Sequence, residues 1–115
     1  MSNELRVAID EACVRAGQAM ENKQYATAWQ WLERLHILTQ HRPLWHARSH
    51  WLMLRLGWQT GDYREVAGQI PRMIAALLFS RLWVPLGNNG RARVSAFAVM
   101  PVSDELHNLL KSRDD

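Results

Sequence analysis

The sequence predicts an all-α fold: two tetratricopeptide-like helical hairpins, four helices in all, followed by an extended C-terminal segment and a short final helix. Three observations carry this. Apolar residues recur every three or four positions through most of the first 80 residues. The breaks "ENKQ", "TQHRP" and "QTGD" divide that pattern into four runs. One helix-turn-helix unit occurs twice, 38 residues apart.

In the first run, Glu4 to Met20, the residues Leu5, Ala8, Ala12, Ala16 and Ala19 form a stripe, with Val7 and Val14 beside it and Ser2 or Asn3 as cap. The second runs from Tyr25 to about Leu38, with Ala28, Leu32 and Leu35 on one face and Trp29 and Trp31 widening it. "TQHRP" ends it, because Pro43 restrains the residue before it and lacks an amide hydrogen. That same lack suits Pro43 to the first position of the next helix. The third helix is Leu44 to about Trp58 and the fourth Tyr63 to about Phe79. Pro71 lies inside the fourth, so a kink or a restart is expected near Arg72.

Setting Tyr25 on Tyr63 places Ala16 on Leu54, Ala28 on Val66, Leu32 on Ile70 and Leu35 on Met73. In the second copy Gly61 makes the bend, Asp62 caps the next helix and Tyr63 is expected to pack back into the hairpin. Two hairpins are fewer than the roughly three repeats a solenoid needs, so the tail is expected to cover the open side. From Trp83 the helical period fails, through "VPLGNNGRARVSAFAVMP". Val94, Phe97, Val99 and Met100 are too apolar for a linker in water, so this segment is expected to lie across the helices. Ser103, Asp104 and Glu105 then open a short helix carrying Leu106, Leu109 and Leu110. The chain is thus one domain, with hairpins over 1–82, a packed extended segment over 83–102, and a short helix and tail over 103–115.

A chain of 115 residues, 48% apolar, can bury a core without disulfides or a structural metal, so a bound metal would be functional. Six tryptophans are expected to give that core its bulk. Cys13, the single cysteine, can form no internal disulfide, which suits a reducing compartment. The start lacks the basic and apolar runs of a secretory signal, and the longest apolar run, "MIAALLF", falls far short of a membrane span. A soluble cytoplasmic protein is expected. The net charge of +3 conceals a basic zone, since residues 34–103 hold nine arginines against Asp62 and Glu65. We read it as a solvated arginine face. Aromatic and basic residues do not alternate there, so no nucleic-acid partner is expected.

The stretch "HILTQHRPLWHARSHW" holds His36, His41, His46 and His50. The end of the second helix and the start of the third meet at the joint between hairpins. His46 and His50, four apart, share a helical face, and His36 lies one residue past the core position Leu35, so three or four imidazoles can converge. Such a set offers nitrogen ligands to a divalent transition metal such as zinc, with Glu33 the nearest carboxylate and His41 a further donor in the joint. Packing competes with this. A histidine beside Trp45 or Trp51 commonly gives one hydrogen bond to a carbonyl and nothing more, and the helix dipole favours His36 near a C-terminus.

Enzyme chemistry would need an acid orienting a histidine or a nucleophile beside a base. Asp62 and Glu65 sit in a turn where capping explains them, so neither enzymatic activity nor a catalytic residue is expected. Cys13 has no CxxC partner and flanks the apolar face as an inert thiol. "GNNGRAR" offers either a backbone nest for an anion or a plain turn, and it lacks the lysine and serine or threonine of a phosphate loop.

The run "HILTQHRPLWHARSHWLMLRLGW" followed by "LGNNGRARVSAFAVMPV" resembles a bacterial family known as domain of unknown function 3703, over nearly the whole chain. The family positions fall on His36, Leu38, Gln40, Pro43, His46, His50, Trp51 and Met53, then on Gly87, Asn88, Gly90, Ser95, Ala96, Phe97, Met100 and Pro101; His41 lies outside them. Asn89 and Arg91 stand where the family loop tends to carry threonine and glycine, which counts against a role for that loop's backbone. The family has no assigned activity. The resemblance implies an association with heavy-metal resistance and efflux, which lifts the metal reading level with the packing one.

Two functions remain. The first is an interaction or accessory module whose concave face, lined by arginine and tryptophan, takes an acidic protein segment or a second copy of the chain. The alternative is a metal-binding accessory protein holding zinc, cadmium or copper through His36, His46 and His50.

Overall fold

A computed structural model describes residues 1–112. Those residues form five helices and no strand: α1 (Asn3–Glu21), α2 (Tyr25–Thr39), α3 (Pro43–Thr60), α4 (Tyr63–Phe79) and α5 (Asp104–Lys111). Residues 113–115, the end of the predicted tail, lie outside the described residues. Helices α1 and α2 form one hairpin and α3 and α4 another, with α2 packed on α3 between them.

The local chemistry accounts for the helix ends. Of the two candidate caps, Ser2 is the one used, its hydroxyl accepting from the Leu5 amide at 3.1 Å. Pro43 opens α3, where its missing N–H costs nothing. Gly61 ends that helix at φ 73°, a left-handed conformation in which a side chain would be strained, and the Asp62 carboxylate caps α4 through the Glu65 amide. Tyr63 makes an edge contact with Trp58 rather than entering the hairpin, and remains 64% exposed. Helix α4 runs unbroken across Pro71, without a restart at Arg72. Ser103 caps α5 through the Leu106 amide.

The core lies between α1, α2 and α3 and includes Leu5, Ile9, Ala12, Ala16, Ala28, Leu32, Leu35, Leu38, Met53 and Leu56, with Leu106 of α5. Several expectations change here. Val7 and Val14 point to solvent, as their place beside the stripe rather than on it permits. Tryptophan does not fill the core: Trp51, Trp58 and Trp83 are exposed, and the other three are half-buried and pack against its edge.

Among the described residues, the tail leaves the outer side of α4 open, with Ile74, Leu77 and Leu78 exposed. Helix α5 packs instead on α1 and α2, where Arg34 pairs with Glu105. Residues 83–102 follow a succession of turns that lies across α2 and α4, through Asn88 on His36, Arg91 on Glu65 and Arg72 on the Ala92 and Val94 carbonyls. Phe97 and Val99, however, are left 78% and 70% exposed.

The two hairpins also differ in which face is inward. Ala28, Leu32 and Leu35 are fully buried, but their counterparts Val66 and Met73 are only half-buried and Ile70 is exposed. The buried residues of α4 are Glu65, Gln69 and Ala76. A polar inner face needs polar partners, and these are found at the joint.

Candidate metal centre

The joint brings His36, from the last turns of α2, against His46 and His50, from the first turns of α3. All three are buried, and their ring centroids lie 4.7–4.9 Å apart. His46 Nε2 lies 2.9 Å from His36 Nε2 and 3.2 Å from His50 Nε2.

The outward nitrogens determine what those inward contacts are. His36 Nδ1 lies 2.7 Å from the Asn88 carbonyl oxygen, which can only accept, so this ring carries its hydrogen on Nδ1. His46 Nδ1 lies 2.7 Å from Ser80 Oγ, whose own hydrogen goes to the Ala76 carbonyl, so Nδ1 donates here too. His50 Nδ1 lies 2.5 Å from Gln69 Oε1, whose identity follows from Gln69 Nε2 donating to Glu65 and to the Gly90 carbonyl. Each neutral ring has one hydrogen, and each has placed it outward. The three Nε2 atoms therefore present lone pairs to one another, and none of the close approaches among them is a hydrogen bond. Three converging lone pairs repel unless a cation lies between them. Two imidazole nitrogens about 2.0–2.1 Å from a tetrahedral ion stand about 3.3 Å apart, close to the two spacings that His46 Nε2 makes with its neighbours.

Residues 3–110 match the family described as Protein of unknown function (DUF3703). The chain belongs to that family. Neither a curated protein nor a solved structure matches it.

In this DUF3703 chain, burial sets the protonation of the three rings. It holds His36 well below the ordinary histidine range, with His50 and His46 adding to the effect. Burial and then the His50 ring bring His46 down to about 3. Burial brings His50 down to about 4, against the opposing effect of the hydrogen bond it donates to Gln69. All three are neutral at pH 7, the form in which imidazole ligates a metal.

The loop over the site is built around Asn88 and Gln40. Buried Asn88 gives His36 its acceptor, donates through Nδ2 to the Ser95 and Ala98 carbonyls, and accepts from the Gly90 amide. Buried Gln40 ties the loop to α2 through the Pro85 carbonyl and the Gly87 amide. Gly90, at φ 82°, lies against the His36 ring, and a Cβ there would stand 2.7 Å from His36 Cδ2. The backbone of "GNNGRAR" thus serves the histidine cluster, despite Asn89 and Arg91, and the anion its Ala92 amide holds is the chain's own Glu65 carboxylate. Arg91 tethers the loop: its guanidinium pairs with the fully buried Glu65, reaches Glu33 at 3.5 Å, and lies 3.6 Å over the Trp29 ring.

Of the five candidate ligands, His36, His46 and His50 come together, and their ligand atoms all lie within 4.8 Å of one another. His41 is solvent-exposed, and Glu33 is engaged by Arg91; neither belongs to this set. Burial raises the Glu33 carboxyl while Arg91 pulls it back. Cys13 is also outside the set, its thiol raised by burial. The arginine zone is not wholly a solvated face. Arg34, Arg91 and Arg93 pair with Glu105, Glu65 and Asp62, and Arg72 donates to the Gly68, Ala92 and Val94 carbonyls. Sequence reasoning missed Gln69 and Ser80 entirely. It noted Gln40, Asn88 and Gly90 only as family positions.

Proposed function

We propose that this chain is a metal-binding accessory protein that holds one divalent transition ion, zinc before cadmium or copper, through Nε2 of His36, His46 and His50. A single observation carries this reading: three buried, neutral imidazoles aim unprotonated nitrogens at one point, with every Nδ1 hydrogen engaged elsewhere. Pure packing would more readily turn one ring to give an N–H···N hydrogen bond between neighbours. Hydrogen-bonded partners behind the ligands are what orient histidines in metal sites. The nearby carboxylates Glu65 and Glu33 are engaged by Arg91, so the donors present suit binding better than proton transfer. The test is metal content and zinc affinity of untagged protein beside the His46→Ala/His50→Ala variant.

A second reading, a protein-interaction module or self-associating chain, is favoured by the outer side of α4, where Ile74, Leu77 and Leu78 are about half exposed or more. Sedimentation of the wild type against Leu77→Glu separates it from the first: self-association lost in the variant supports it, while a monomer in both sets self-association aside.

A further inference from the structure

A cavity of about 490 Å³ lies against the joint, and His36, His46 and His50 all form part of its wall. The rest is chiefly apolar: Pro71, Ala75 and Ala76 of α4, with Phe79, Trp83 and Phe97. Phe79, Leu82, Trp83 and Phe97 are each more than half exposed there, so the chain leaves this apolar surface unfilled. The volume lies within the usual range for small-molecule sites, roughly 300–1,000 Å³.

Resting on the three-histidine metal reading, we propose that the cavity binds a small monocarboxylate with an apolar body, its carboxylate completing the coordination of the ion and its chain lying against Phe79, Trp83 and Phe97. The argument concerns charge and shape. Three neutral imidazoles leave the full charge of a dication at the cavity wall, which favours an anionic head. Among the described residues, no acidic side chain lines the cavity to supply that charge from within. Among those residues the one charged member of the lining, Arg72, is a cation whose guanidinium is turned to backbone carbonyls, so the ion is the head group's anchor. Three protein ligands leave a tetrahedral ion one open position, as in sites that take an exchangeable ligand rather than closed structural ones. The body of the ligand is set by the wall, which rewards apolar surface and offers few polar partners.

The test uses cobalt(II)-loaded full-length protein, whose visible absorption reports coordination, titrated with acetate, butanoate, hexanoate and octanoate. The expected result is a spectral change whose affinity rises with chain length, by up to about fourfold per methylene buried. Ala75→Trp, which narrows the cavity without replacing a ligand, should keep the cobalt spectrum and the acetate response but flatten the series. A normal cobalt spectrum with equal affinity for acetate and octanoate overturns the carboxylate proposal and leaves the metal site standing. Failure to bind cobalt overturns both. Octanoate binding equally well to metal-free protein, read by tryptophan fluorescence, removes the ion from the account of the cavity.

Discussion

His46 Nε2 faces His36 Nε2 across 2.9 Å, and no hydrogen lies between them, because each ring has given its one hydrogen to an acceptor on its far side. The acceptors are Ser80 on α4's C-terminal edge and Asn88 in the following loop. The state of the inner cluster is therefore set by residues that do not belong to it.

Ser80→Ala tests this directly. It removes the acceptor of His46 Nδ1 while leaving all three ligands in place, and zinc affinity should fall about 10- to 100-fold. Competition with a chromophoric chelator measures it. Unchanged affinity would mean that Ser80 does not orient the ring.

The metal-free protein should lose stability on acidification. In the unfolded chain these histidines take up protons near pH 6.5, whereas in the folded chain His50 and His46 resist until about 4 and about 3, and His36 is likewise depressed. The unfolded state therefore binds more protons in this window. The stability these rings contribute is fully present above pH 6.5 and falls as pH drops toward 4. Urea midpoints at pH 7, 6 and 5 should decline accordingly, and a flat profile would contradict the burial of neutral rings.

Gly90→Ala should destabilise the fold by about 1–3 kcal/mol, since the residue adopts φ 82° and its new methyl group would press on the His36 ring. Zinc affinity should fall with it. Urea unfolding of the metal-free variant isolates the stability effect.

Arg91→Ala leaves Glu65 fully buried without its cation, and a cost of about 3 kcal/mol is expected. Arg91→Ala/Glu65→Gln should recover part of that loss, because the neutral amide no longer requires a counter-charge. Urea unfolding of the two variants compares them. No recovery would place the role of Arg91 in its stacking on Trp29 instead.

The helices and the convergence of His36, His46 and His50 were legible because both follow from helical spacing: two residues one turn apart on α3, and a third at the end of α2 beyond the Pro43 joint. The acceptors were not. Superposing the two repeats set Val66, Ile70 and Met73 of α4 on the core stripe of α2, while the residues buried are Glu65, Gln69 and Ala76. Apolar patterning assumes an apolar neighbour, and here the neighbour is a set of imidazoles. The loop was opaque for a different reason: Asn88 and Gln40 act through backbone atoms distant in sequence, and no local period encodes such contacts.

The central claim is that three converging imidazole nitrogens hold an ion, and zinc titration of untagged protein beside the His46→Ala/His50→Ala variant tests it most directly. One zinc per chain at sub-micromolar affinity, absent in the variant and accompanied by thermal stabilisation of the wild type alone, is the predicted result. A wild type that takes up no metal, with a variant merely less stable, would contradict the account and leave the histidines as packing residues of the joint.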